Sequence, residues 1–405
     1  MKIFPTLKLL SAGFVLASVL GCGGSKSVAG LTPSAPHGKW TILVYMNAAN
    51  DLDAYSTINV GQMEQVATNP DVRFVVQWKQ ATSVTNYATF NGTRRYLIKP
   101  NASGAGVNQL VQDLGGGIDM GVPQTLHEFI AWGQAHYPAD HTVVVLWDHG
   151  NGWLPNFKSK RKTPAFSYDS QTGHAIEIWQ LNQAFMGLHV DITAFDASLM
   201  QMDEVAYQLI GLTDYVAGSE ESPPGAGYPY QRVFGEFAAN PDQTPLALSK
   251  AFVDGMLAEP TYSTDKIEQS VVDTSQLAPV ASSAAGLAQA LIANASAVAP
   301  IIPSLRTTTQ SYLLTTNRFF FDSVDLCNQL SAGTNVVAIQ SACAAYTAAT
   351  NNAIVWEGHN SHSPGSHGLS IDFSPSSFYY TVSSSYDQLA WESATNWGQW
   401  LAIAP

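Results

Sequence analysis

Charge is scarce in this chain. Only 12% of its 405 residues are Asp, Glu, Lys or Arg, and the 31 acids outnumber the 18 bases, for a formal net charge of −13. That balance excludes the basic stripe through which nucleic acid is held by counterion release. It suits an exported soluble body or a cationic ligand. Cysteine is nearly absent: Cys22, Cys327 and Cys343 are the three. None lies beside a histidine or in a CxxC pair, which excludes the usual zinc and redox motifs. A contiguous calcium loop of the EF-hand type is lacking, and so is a repeat of fixed period. Beyond the first 21 residues no second long apolar run stands out.

What is present begins at the N-terminus. Lys2 and Lys8 precede an apolar run from Leu9 to Leu20, followed by Gly21-Cys22-Gly23-Gly24-Ser25. A basic start, a short apolar stretch and a small residue before the cut define a signal peptide. The run is short for a transmembrane helix. A cysteine directly after the small residue resembles a lipobox, in which Cys22 is acylated and becomes the new N-terminus. Acyl chains contribute about 0.8 kcal/mol per buried methylene, so the expectation is a membrane-anchored lipoprotein on the outer membrane or cell surface. Residues 1–21 are expected to be removed. Losing Lys2 and Lys8 and no acid moves the charge from −13 to −15. Residues 22–37 are small, polar and Pro-containing, as a flexible tether is. In an oxidising compartment Cys327 and Cys343 could close a disulfide worth about 3 kcal/mol, or remain two buried thiols.

Apolar runs are dense in the first half. Trp40-Thr41-Ile42-Leu43-Val44-Tyr45-Met46 suits a strand buried on both faces. Val72 to Trp78, Arg95 to Ile98, Thr142 to Trp147, Ile192 to Phe195 and Tyr215 to Gly218 read likewise. Between them, helical spacing groups Leu126, Phe129 and Ile130 on one face, and Met202, Val205, Ala206 and Leu209 on another. Strands alternating with helices imply an α/β fold with a mostly parallel sheet covered on both sides. After about Pro223 the texture changes. Residues 243–315 read as long Ala- and Leu-rich helices broken by Pro279, Pro300 and Pro303. Residues 353–405 return to strand-like pieces such as His367–Phe373, then a Trp-rich terminal helix. The expected organisation is an α/β core over 38–235 and a helix-rich region with late strands over 236–405.

In open α/β sheets, sites gather at the carboxyl ends of the strands. Two such ends carry reactive groups. One is Trp147-Asp148-His149-Gly150-Asn151-Gly152, where a histidine leaves a buried strand into a Gly-rich turn that lets backbone N–H groups approach a ligand. The other is Phe195-Asp196-Ala197-Ser198-Leu199-Met200, followed by an amphipathic pattern. Ser198 is therefore expected at or near a helix N-terminus, where the dipole favours a developing anion. Each has an ordinary explanation when taken singly: a structural histidine, an N-cap serine, a capping or surface-paired aspartate. Together they make a base and a nucleophile with an acid beside them, and the residues alone do not decide between these readings. Ser198 lacks the Gly-x-Ser-x-Gly elbow of the α/β-hydrolases.

A resemblance goes further. Trp40-Thr41-Ile42-Leu43-Val44-Tyr45-Met46-Asn47-Ala48-Ala49-Asn50-Asp51-Leu52-Asp53 resembles the opening strand and loop of the clostripain-like cysteine peptidases. Met120–Leu126, Tyr137–His141 and Leu146–Gly150 are similar to that family's histidine region. Phe195-Asp196-Ala197-Ser198-Leu199-Met200-Gln201-Met202-Asp203-Glu204-Val205-Ala206 resembles its nucleophile region. Gly218–Glu221 with Gly225–Tyr230 resembles the loop that follows, and His367–Phe373 a late strand. The similarity spans roughly residues 38–401. It implies a caspase-like fold that cleaves peptides after Arg or Lys, with His149 as the catalytic histidine and Gly150 lending an oxyanion N–H. It also implies that Asp196 is the acid in the pocket for the basic side chain. No cofactor is required by the resemblance, although some relatives respond to calcium. Asp51 and Asp53 are conceivable ligands for it.

One departure matters: Ser198 stands where the family has cysteine. A thiol beside a histidine ionises readily, and the thiolate is the attacking species. A hydroxyl needs a tightly bonded base. Serine in a site built for cysteine is expected to be slower by about 10³ or more. Two readings follow, a serine peptidase with a readjusted site or a pseudo-peptidase that still binds at the cell surface. The basic cluster Lys158-Ser159-Lys160-Arg161-Lys162 reads as a processing site or a solvated loop. His359, His362 and His367 share a polar loop without a firm fourth zinc ligand.

Overall fold

Alternation along the first strand decides how the chain is layered. In the computed structural model, which describes residues 34–101, 108–156, 163–164, 166–312 and 319–405, Ile42, Val44 and Met46 enter one apolar core and Leu43 and Tyr45 the opposite one. Successive side chains of a strand point to opposite faces, so a continuous apolar run is a strand with helices on both sides. Cys22 and the cluster Lys158–Lys162 lie outside the described residues.

Nine strands form the main sheet: β1 (Gly38–Ala48), β2 (Val72–Gln80), β3 (Gly92–Leu97), β4 (Gln109–Gly115), β5 (Ala139–Trp147), β6 (Val190–Asp196), β7 (Thr213–Gly218), β8 (Glu268–Asp273) and β9 (Ile354–His359). Their order is β9-β8-β7-β6-β5-β1-β2-β3-β4. The five central strands run parallel, and each side is finished by two antiparallel strands. The sheet is thus the mostly parallel, helix-flanked α/β architecture expected. All six expected strands are present. The helix-rich half returns to this sheet through β8 and β9, and Ser34–Pro405 forms one compact unit.

Three strands escaped the apolar pattern. β4 is a largely exposed edge of mixed polar and apolar residues without alternation. β8 lies inside the stretch read as helical and buries Glu268, Gln269 and Ser270, which hide its strand character. β9 is only half-buried. Of His367–Phe373, only Ser370–Asp372 is strand, in a separate three-stranded sheet with Ser311–Tyr312 and Phe320–Asp322. Thr274–Ala293 is long and apolar enough to cross a membrane, with mean hydropathy 1.2. Within it the helix Leu277–Ala293 turns Leu277, Val280, Ala284, Leu287 and Leu291 into the core, as a packed helix of a globular body does.

A buried ion pair fixes the segment between β5 and β6. Lys79 Nζ at the end of β2 meets Asp169 Oδ2 at 2.5 Å, both side chains fully inaccessible. Asp169 also accepts Met120 N at 3.0 Å and Gln171 N at 3.0 Å. The hairpin Phe166–Asp169/His174–Ile176 is thereby held against the end of the sheet, where Tyr168 O and Ser170 N reach the loop after β1. Removing one partner of a buried pair leaves an uncompensated charge. Asp169→Ala should therefore lower unfolding free energy by about 3–5 kcal/mol, measurable as a drop in the urea midpoint. An unchanged midpoint would contradict this role.

Candidate active site

The parallel ladder of β5 and β6 pairs Leu146 with Phe195 and Trp147 with Asp196. Two residues further on stand His149 and Ser198, so strand register alone makes them neighbours. Asp148 N donates to Asp196 O at 3.3 Å where the strands part. A Cβ on Gly150 would collide with the Ser198 carbonyl oxygen and with Met200. Only glycine lets these two turns come so close.

On the histidine side, Asp148 is the organiser. Its buried Oδ1 accepts His149 N at 2.6 Å and Asn50 Nδ2 at 2.6 Å. Burial pushes the Asp148 carboxyl well above the usual carboxylate range. Asn50 also donates to Asn47 O and Tyr168 O. The next residue, Asp51, lies 2.7 Å from His149 Nε2 through Oδ1, with the histidine side chain 45% exposed and the aspartate 86%. Asp53 points elsewhere: it is buried and accepts from Gln80 and Ser56, so the two aspartates do not share a ligand site. His359 pairs with Glu357, and His367 with Asp322. Among the described residues no group of three or more His, Cys, Asp or Glu could hold a metal ion.

On the serine side, the expected helix start is corrected. Ser198 lies in a turn, and the following helix begins only at Asp203 and is four residues long. The chain is diverted because Leu199 adopts φ 65°, Gln201 N donates to Ser219 O at 3.0 Å, and Met202 bridges to Ser370. A bulky residue in the left-handed region costs about 1–2 kcal/mol. Leu199 N, held by Glu221 O at 3.1 Å, helps fix it there. The dipole of that short helix, starting five residues on, does not act at Ser198. Its hydroxyl instead accepts from Ser222 Oγ at 2.8 Å. Among the described residues no hydrogen bond joins His149 to Ser198.

Asp196 is buried beneath this turn. Its Oδ1 accepts Tyr228 N at 2.9 Å and its Oδ2 the Tyr230 hydroxyl at 3.0 Å. Gly227, at φ 62°, lies so close that a Cβ would strike the carboxylate. Desolvation raises the Asp196 carboxyl to about 7, against the two hydrogen bonds that favour its ionised form. Asn50, Asp148, Ser222, Tyr228 and Tyr230 were not singled out from the sequence. The acid directly before His149 and the Gly225-Ala226-Gly227 turn were the signals available. Cys327 and Cys343 lie far along the chain as buried free thiols.

Known proteins share this frame. The clostripain family model matches residues 44–402. Clostripain of Hathewaya histolytica is 25% identical over 223 residues, half of this chain and 42% of that protein, so the chain spans less than half the length of this curated relative. The fold is similar to that of an inactive zymogen C11 protease of Parabacteroides distasonis, with TM-score 0.68, 20% identity and coverage of 89% of this chain and 99% of that one. It is also similar to a secreted C11 cysteine protease of Bacteroides thetaiotaomicron in complex with an irreversible peptide inhibitor, with TM-score 0.65, 21% identity and coverage of 89% and 100%.

Asp196 belongs to a set of buried acids around the site. Asp203, held by Tyr346 and Ser323, is raised to about 7, and Asp372 to about 6, both chiefly by desolvation. Each binds its proton more tightly folded than unfolded. Between the ordinary carboxylate value and the folded one, the native state holds the extra protons, so stability falls as pH rises through that window. Unfolding free energy should be higher at about pH 5 than at about pH 8, by roughly 1 kcal/mol or more, and Asp203→Asn should flatten the slope. Denaturation series across pH check this; stability rising from acid to neutral would refute it.

Proposed function

The chain belongs to the clostripain family of peptidases, and from that premise we propose a membrane-anchored homologue that binds peptides through Arg or Lys side chains with little or no hydrolysis. The observation that carries this is the Ser198 hydroxyl, bonded to Ser222 at 2.8 Å and not to His149. A neutral hydroxyl without a bonded base is a poor nucleophile. The rest of the family's machinery is retained: His149, Gly150 packed on Ser198 as an oxyanion donor, and Asp196 beneath. An arriving guanidinium or ammonium would favour the ionised form of Asp196. Peptides and proteins are the ligands the family implies, and its calcium response carries over as a condition to vary.

Ser198→Cys should therefore gain cleavage after Arg or Lys, because a thiolate needs no new architecture. Wild type should show little, and Ser198→Cys with His149→Ala should be nearly silent. Fluorogenic arginyl, lysyl and neutral substrates, with and without calcium, test this, and adding Asp196→Ala should erase the basic preference. Strong wild-type hydrolysis abolished by Ser198→Ala would overturn the binding-protein reading and make the chain a serine peptidase.

Export is supported by the basic, apolar and small-residue order of the N-terminus, and a structural relative is described as secreted. Acylation at Cys22 should send the protein into the detergent phase on phase partitioning and leave Cys22→Ala in the aqueous phase. Aqueous partitioning of both would rule out the anchor.

A further inference from the structure

We propose that Asp51 is the positioning residue for His149, its carboxylate fixing the imidazole with the proton on Nε2 so that Nδ1 is the base facing residue 198. The inference rests on His149 and residue 198 being the reacting pair. Its foundation is the contact of Asp51 Oδ1 with His149 Nε2 at 2.7 Å. An ionised carboxylate can only accept, so the ring nitrogen it touches carries the proton. His149 Nδ1 has no hydrogen-bond partner among the described residues, and it is the nitrogen left to move a proton.

The contact is built by both loops. Asn50, the residue before Asp51, is anchored to Asp148 Oδ1 at 2.6 Å, to Tyr168 O at 3.0 Å and to Asn47 O at 3.1 Å. Leu52 N, the residue after, donates to Asn50 Oδ1 at 2.9 Å. The same Asp148 oxygen takes His149 N at 2.6 Å. One buried carboxyl thus ties the residue before Asp51 to the backbone of His149. The pair spans the boundary between β1 and β5, where the sheet order reverses and where ligands gather in such sheets.

In the Ser198→Cys protein, the proton of the introduced thiol passes to His149 Nδ1 as the C–S bond forms at the scissile carbonyl. The imidazolium returns that proton to the leaving amine nitrogen as the C–N bond breaks. Asp51 stays ionised throughout, holding the ring and balancing its transient charge, as the carboxylate of a Ser-His-Asp triad does.

The test has two readouts. In the Ser198→Cys protein, adding Asp51→Ala should lower kcat about tenfold or more with KM within about twofold. Asp51→Asn should be at least as damaging, because its amide can donate to Nε2 and move the proton to Nδ1; Asp51→Glu should restore part of the loss. Independently, 15N NMR of the wild-type chain should show neutral His149 protonated on Nε2, and Asp51→Asn should populate the Nδ1-protonated form. An active Ser198→Cys protein indifferent to Asp51→Ala and Asp51→Asn overturns the proposal, and so does a wild-type His149 protonated on Nδ1. If Ser198→Cys is itself inert, the reading of the reacting pair fails, while the tautomer measurement still decides what Asp51 does.

Discussion

The candidate site depends on one register. Because β5 and β6 run parallel with Trp147 opposite Asp196, every residue leaving β5 emerges beside its counterpart leaving β6. Neighbouring strands are about 4.8 Å apart, so His149 and Ser198 leave the sheet from adjacent strand ends. What remains open to variation is the last few ångströms, set by the turns. There the chain uses a glycine without a Cβ, a leucine forced to positive φ and a serine from the β7 loop. The frame belongs to the sheet, and the chemistry is adjusted in the turns.

Those turns are fastened by buried side chains rather than by helix ends. Asp148 joins the β1 and β5 loops through two hydrogen bonds to a single oxygen. Asp196 ties the end of β6 to Tyr228 and Tyr230. Glu220 accepts from Tyr312 and Gly368 N, and Glu268 accepts Glu220 N at 2.6 Å. These carboxyls are buried with few bases near them, and burial raises all of them, Asp148 and Glu220 far above the usual range. A neutral carboxyl avoids much of the desolvation cost of a charge and can donate as well as accept. The overall scarcity of Lys and Arg fits this interior, which uses protons where another protein would use cations.

The sheet was legible where its strands are buried on both faces. Val143 to Trp147, and Ile192 to Phe195 except for Thr193, are apolar because both sides are covered. β8 was hidden because its buried residues include Glu268, Gln269 and Ser270, which bond to partners distant in sequence. His149, Ser198 and Asp196 could be named from strand ends and family resemblance, but their wiring could not. Ser222 lies 24 residues from Ser198, Asn50 98 residues from Asp148, and Asp51 98 from His149. No local pattern encodes such pairs. The helix expected at Ser198 failed for the same reason, since Gln201 and Met202 are claimed by Ser219 and Ser370 before a helical turn can form.

The place where the chain enters the sheet has a mechanical consequence. Ala35 N bonds to His136 O and Gly38 N to Pro138 O, so the segment after Ser34 joins β1 at its amino end, while the site lies beyond the carboxyl ends of the strands. β1 is central and is bonded along its length to β2 on one side and β5 on the other. A pull on the chain ahead of Ser34 would load both ladders in shear, with many hydrogen bonds sharing the force at once instead of opening in sequence. Tension at that point falls on a central strand paired on both sides, about 30 Å of strand length from the candidate site.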